Sequence, residues 1–410
     1  MKIRSITCFY HPGSPNAGDT LDRLGLFAAR ARTQFTDAGF QIQSTRLATV
    51  PFAEMCPSGC RESGVSLAQK LERKALERGF DYLSMGPALS EQTESYGIVT
   101  EMLGETKSVF FSANLLDQKG AISLQAVRSS SDIIHRAAEI EKDGFANLRF
   151  AAMAGVKPFT PFFPAAFSAG QEAAFSIAVE CADVFVMTFR DSSSLKEAHD
   201  KALEVLEDAA LRMGTVCKEL QKEFPFKFKG FDFSPAPYPG DMSSIGNALE
   251  SLGVPGMGLS GSAAAAAFLA GLLDEGNWPR VGFNGLMLPV LEDSGLAGRT
   301  SEGTLTIRDL LLYSCLCGTG LDTIPLAGKT SVDQITALLL DLAAISVRLS
   351  KPLTARLMPI PGKKAGDEIC FDFEYFAAGK IMDLPAKELK RFFAGEEPFS
   401  ILPRKLPGQT

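Results

Sequence analysis

Two stretches near the N-terminus, Lys2-Ile-Arg-Ser-Ile-Thr-Cys-Phe9 and Gln41-Ile-Gln-Ser-Thr-Arg-Leu-Ala48, decide the fold together with what lies between them. Each alternates apolar with polar residues, the period-two signature of a strand. His11-Pro12-Gly13 ends the first. Leu21, Leu24, Phe27, Ala28 and Ala31 then recur at helical spacing behind Asp19 or Thr20 as cap, and Gly39 closes that helix. Strand, helix, strand is the beginning of an α/β protein rather than an all-β or all-α one.

The alternation continues outward. A helix is predicted over 65–78, a strand over 82–85, short buried pieces at 109–113 and 121–124, a helix over 131–143 and a strand over 149–154. A proline-rich loop, a helix near 170–181 and a long helix over 195–223 follow. Phe224, Phe226 and Phe228 alternate with Lys227 and Lys229 as a strand, and Gly230 shifts the parity, predicting a bulge. Helices over 307–316 and 332–349 and a strand over 356–360 complete the pattern. The 410 residues exceed the roughly 250–300 at which one core usually stops growing. The reading is a core over 1–350 and a C-terminal extension over 351–410 that packs on it.

Composition limits the functions available. Lys plus Arg number 41 and Asp plus Glu 48, a net charge of −7, which argues against a nucleic-acid partner. Eight cysteines are too sparse for a disulfide scaffold. The first residues carry no apolar signal core, so a cytoplasmic protein with reduced thiols is expected. With three histidines, His11, His135 and His199, zinc sites and histidine triads have few donors to draw on. The uncharged run 251–273 approaches a membrane span in length, but its glycines make it a loop feeding a small-residue core helix, and no membrane partner is expected.

Four segments gather reactive residues beside glycine or proline. In the first, Asp232 ends a strand, and a rigid loop leads to Asp241, Ser243 and Ser244 at a helix start, which either hold an anion or simply cap the helix. In the second, Ser260-Gly261-Ser262 opens an alanine-rich helix, offering an anion site or close packing; it matches no nucleotide-binding motif. In the third, Asn284 leads an apolar stretch to adjacent acids, Glu292 and Asp293. Paired acids suit a divalent cation or acid–base work, but neighbouring side chains diverge, so only one is expected to face a given site. In the fourth, Cys317 precedes Gly318, Gly320 and Asp322, and is either a catalytic thiol or an inert buried one. Lys363 and Lys364, in a proline–glycine turn, could clamp an anion.

Taken together and in this order, the segments 232–246, 258–267, 284–293 and 317–325, with 46–52, 158–166 and 356–367, resemble the uncharacterised conserved family called domain of unknown function 711. The resemblance implies a pyruvate-formate-lyase-like α/β barrel with a cysteine-bearing central loop, Cys317 at its tip. The chain departs from the radical enzymes of that group, because their C-terminal Arg-Val-x-Gly-Tyr motif is missing. A homo-oligomer is an expectation of the resemblance alone.

The resulting expectation is a non-radical enzyme acting on a small anionic metabolite. Cys317, Asp322, Asp232, Asp241 and Glu292 would carry catalysis. Ser243, Ser244, Ser260, Gly261, Ser262, Asn284, Lys363 and Lys364 would bind the ligand. A divalent cation, if used, would fall to Asp232, Asp241, Glu292 and Asp293. The alternatives are a non-catalytic ligand sensor or assembly protein and a metal-dependent carboxylate enzyme. The enzyme reading requires these scattered segments to converge in space.

Overall fold

Residues 2–10 and 42–49 are parallel neighbours joined by the helix Ala17–Asp37, as the opening alternation predicts. The computed structural model describes residues 1–56, 63–316 and 318–404. Strands β1 (Lys2–Tyr10), β2 (Ile42–Thr49), β3 (Tyr82–Ala88), β4 (Val109–Asn114), β5 (Phe150–Ala154), β6 (Ala174–Glu180), β7 (Lys227–Asp232), β8 (Gly320–Ala327) and β9 (Leu353–Ile360) form one sheet. Its order is β7-β6-β1-β2-β3-β4-β5-β9-β8. β1 to β5 are mutually parallel, while β6 runs antiparallel to β1 and β9 antiparallel to β5. Each flank is a parallel pair, β6 with β7 and β8 with β9.

The run 279–290 touches both outer strands. The Phe231 N–H of β7 donates to the Pro279 carbonyl at 2.7 Å and Val281 N–H donates back to Phe231 at 3.1 Å. At the other end Val290 N–H donates to the carbonyl of Asp322 in β8 at 3.1 Å.

Alternation sorts the strand residues onto two faces. Leu47, Leu83, Val109 and Ile177 pack with the helices in the main core, whereas Ala48, Phe110 and Ala174 join a smaller cluster with Phe9 and Phe163. Phe27, from the first helix, meets the rings of Phe175, Phe224 and Phe226. The helix Leu195–Glu223 starts where Ser194 Oγ accepts the Glu197 N–H, and it stops at the residue before Pro225. It buries Ala198, Ala202, Leu206, Ala209, Met213 and Leu220, one helical face. The helix Val332–Leu349 begins with a reciprocal cap between Ser331 and Gln334.

Three expectations are corrected. The segment near 170–181 is strand β6, not a helix: every residue of Ala174–Glu180 is buried between β1 and β7, and such a run lacks a period that separates strand from helix. The helix expected over 131–143 spans Leu124–Ala137, because Ser123 Oγ accepts the Ala126 N–H and starts it earlier. The piece at 121–124 supplies only bridges from Ile122 to Leu116 and Phe399. Residues 353–360 lie inside the sheet between β5 and β8. Among the described residues, no helix is long and apolar enough to cross a membrane.

Candidate functional site

Irregular pairing delivers the charged groups of the site. In β1, Ile3 pairs with Val179 and Ser5 with Ala178, so Arg4 is the extra residue of a bulge. In β8, Leu321 pairs with Ala355 and Ile324 with Leu357, leaving Asp322 and Thr323 opposite Arg356 alone. Thr323 takes a left-handed φ of 44° to accommodate this. Bulges re-aim side chains, and here both deliver one to the same place. Glu292 arrives on the turn after Val290, whose N–H is bonded to Asp322.

These groups form a buried ionic chain. Arg4 Nη2 donates to Glu292 Oε2 at 2.7 Å, Arg356 Nη2 to Glu292 Oε1 at 2.7 Å, and Arg356 Nε to Asp322 Oδ1 at 2.6 Å. Burial works against the charge of Glu292, but Arg356 and Arg4 outweigh it and pull the carboxyl below its usual range. Asp322 goes the other way: burial, reinforced by Glu292, raises its pKa despite Arg356. Among the described residues its Oδ2 is buried without a hydrogen-bond partner.

Beside the chain stands Arg46 of β2, on the opposite face from Leu47. Among the described residues its one hydrogen bond runs from Nε to Ser44 Oγ at 2.9 Å, and it has no carboxylate partner. Ser44 Oγ in turn donates to the Arg4 carbonyl. The guanidinium lies 5.2 Å from the Phe163 ring centroid and 5.8 Å from that of Tyr82. Burial, then the charge of Arg4, lowers its pKa to about 9. Among the described residues its two amino groups make no hydrogen bond.

Arg4, Arg46, Arg356 and Glu292 line a cavity of about 640 Å³. Aromatic residues Tyr82, Phe110, Phe145, Phe163, Phe373 and Tyr375 share its wall. With both carboxylates ionised, three guanidiniums and two acids leave one excess positive charge. The arrangement is suited to holding a small anion out of water.

The sequence-derived candidates divide. Glu292 and Asp322 meet in the ionic chain, and Asp232 lines a void of about 20 Å³ with Arg4 and Arg46. Asp232, however, accepts from the N–H groups of Ser234, Phe283 and Asn284 and from Ser234 Oγ, so it fastens the end of β7 to the 283–285 turn. Asn284 does the same work: Oδ1 accepts from Phe233 N–H and Trp278 Nε1–H, and Nδ2 donates to the Phe231 and Val281 carbonyls. Gly282, at φ +77°, makes room for this, since a Cβ there would lie 2.2 Å from Asp232 Oδ2.

Other candidates lie elsewhere, and each has a physical reason. The helix start at Ser244 already holds an anion: Asp293 accepts from Ser244 Oγ and from the N–H groups of Ile245, Gly246 and Leu296. Glu292 and Asp293 therefore diverge as their adjacency requires. Asp241 is exposed and Ser243 only half-buried in a short turn before that helix. Ser260 and Gly261 are exposed, while Ser262 Oγ bonds within its own loop, to the Leu259 carbonyl and the Gly258 N–H. Lys363 and Lys364 sit in an exposed turn, Lys363 Nζ donating to the Glu368 carbonyl. Cys317 lies outside the described residues. Its neighbours pack on the same turn as Asn284: Thr319 Oγ1 donates to the Leu286 carbonyl at 2.7 Å. Among the described residues, no three His, Cys, Asp or Glu side chains gather as metal ligands.

The residues that sequence reasoning did not select are Arg4, Arg46 and Arg356. Their signal is a guanidinium inside a strand otherwise buried, as in Ser44-Thr-Arg-Leu47 and Thr354-Ala-Arg-Leu357.

Sheet and cavity define an α/β protein with an arginine-lined pocket. The model of the family described as Uncharacterised ACR (DUF711) matches residues 1–374, and the chain belongs to that family. It is similar to a UPF0210 protein of Pyrobaculum aerophilum, 33% identical over 347 residues, 80% of this chain and 76% of the relative. A UPF0210 protein of Acetivibrio thermocellus is 30% identical over 353 residues, 81% of this chain and 77% of that protein. One from Oenococcus oeni is 30% identical over 369 residues, 86% and 81% of the two chains.

Proposed function

We propose that the protein is a cytosolic enzyme that binds a small anionic metabolite in the arginine-lined cavity, with Arg46 as the principal anion contact. The observation that carries this reading is a buried guanidinium on the wall of a cavity that, among the described residues, forms no ion pair with a carboxylate. A buried charge is costly unless paired, so a site that keeps one is built to receive the partner from outside. Arg4 and Arg356 add positive field while Glu292 holds both in place. Asp322, whose pKa burial raises, is the acid closest in sequence to Cys317, and the two would carry proton transfer and thiol chemistry.

We further infer that the sheet closes into a barrel of the pyruvate-formate-lyase-like kind. Support comes from the run 279–290, which bonds to β7 at one end and β8 at the other, and from the parallel flanks set antiparallel to the central strands. A non-catalytic ligand sensor is the second reading, favoured by the structural employment of Asp232 and Asp293.

Calorimetric titration of wild type and Arg46→Met with benzoate, acetate and phosphate tests the first claim. At least one anion should bind wild type and lose about 100-fold or more in affinity to Arg46→Met, the range for truncating a charged hydrogen-bonding partner. Equal binding by both proteins would refute it. Cys317→Ser separates enzyme from sensor, since a sensor keeps both affinity and cellular role.

A further inference from the structure

The charge balance and the wall of the cavity specify more than an anion. Arg4, Arg46 and Arg356 against ionised Glu292 and Asp322 leave one positive charge, and the other charged residues of the wall, Lys107 and Arg149 against Asp81 and Glu141, cancel. A monoanion neutralises that charge and a dianion overshoots it. Next to that charge the wall is made of rings. Tyr82 and Phe110 meet edge to face with centroids 5.4 Å apart, and Phe110 meets Phe163 in the same manner at 5.4 Å. Arg46 stacks near both ends of this series, over Tyr82 and over Phe163. Phe373 and Tyr375 bring a second pair of rings, 5.2 Å apart, to the same wall. The space is about 640 Å³, within the range of sites that enclose a metabolite of one or two rings.

We propose that the ligand is an aromatic monoanion, a carboxylate or similar planar acid attached to a flat ring system. Its acidic group meets the amino groups of Arg46, and its ring lies against the Tyr82–Phe110–Phe163 series. Flat rings pack on such a wall edge to face or offset, an interaction that a saturated ring of equal volume cannot reproduce. This inference rests on the anion site proposed above and adds the chemical class of what fills it.

The test is a set of calorimetric titrations of the full chain with 2-naphthoate, benzoate, cyclohexanecarboxylate, acetate, succinate and phosphate at one pH and ionic strength. The expected order is naphthoate and benzoate at least tenfold tighter than acetate and succinate, with cyclohexanecarboxylate weaker than benzoate. Phe110→Leu, which keeps an apolar side chain at that position, should narrow the gap between benzoate and cyclohexanecarboxylate, and the wild-type order stands as the test if that variant does not fold. Succinate or phosphate binding as tightly as naphthoate, with Arg46→Met still abolishing it, would overturn the aromatic monoanion and leave the anion site standing. Binding of every probe unchanged in Arg46→Met, or no binding of any probe to wild type, would overturn both.

Discussion

Arg4 and Arg46 stand on adjacent strands around one cavity, yet their electrostatic situations differ. Arg4 has Glu292 at 2.7 Å, whereas Arg46 has a serine hydroxyl and two aromatic faces. Its lowered pKa means that the folded chain holds the charge at a cost. Arg46→Met should therefore raise stability by on the order of 1 kcal/mol while removing anion binding, the trade-off expected of a functional residue. Urea denaturation at neutral pH measures it, and a loss of stability would make Arg46 a structural residue. Glu292→Gln should do the opposite, costing about 3–5 kcal/mol, because it strips the charge that compensates two buried guanidiniums.

Asp322 supplies a pH dependence with a definite sign. Its carboxyl gains a proton at a higher pH than an ordinary aspartate, and the neutral form removes a negative charge beside the anion site. Affinity for benzenesulfonate, which stays ionised throughout, should strengthen about tenfold as pH falls through that titration above the ordinary 3.8. Asp322→Asn should keep the tight value at every pH. A slope that persists in Asp322→Asn would assign the titration to another group.

At the scale of elements, the site depends on departures from regular structure. The bulge at Arg4, the bulge at Asp322–Thr323 and the turn held by Asp232 and Asn284 bring remote segments together. Asn284→Ala would leave the Phe233 and Trp278 N–H groups without their acceptor inside the protein, and should cost about 2–4 kcal/mol in thermal or denaturant unfolding. A cost below about 1 kcal/mol would show that water replaces the side chain. The same elements explain what was legible in the sequence. The strand–helix alternation, the helices 195–223 and 332–349 and the parity shift at Gly230 are local properties, written in period and punctuation, and the structure has all of them. β6 was not legible because burial on both faces erases the period. Glu292 and Asp322 stood out as acids beside turns. The arginines did not, because a guanidinium within a strand reads as a solvent-facing residue until its neighbouring strands are known. Asp293 and Asn284 look like site residues for the same reason that they cap and staple: polar side chains at turns serve either purpose.

For the whole molecule, a net charge of −7 coexists with a positive cavity, since most acids lie outside it and only Glu292 and Asp322 belong to its ionic chain. That separation would let the interior take up the proposed anion although the protein as a whole repels it. The proposed closure of the sheet makes a further prediction. The amides of Val281 and Val290 should exchange with deuterium as slowly as those of the central strands, and exchange within minutes would mean that β7 and β8 are open edges.

The central claim, that Arg46 holds an anionic metabolite, is tested most directly by native mass spectrometry of wild type and Arg46→Met purified side by side under mild conditions. The account predicts that wild type carries an added mass of a few hundred daltons or less, released on denaturation as an anion, and that Arg46→Met lacks it. The same anion retained equally by both proteins would contradict it.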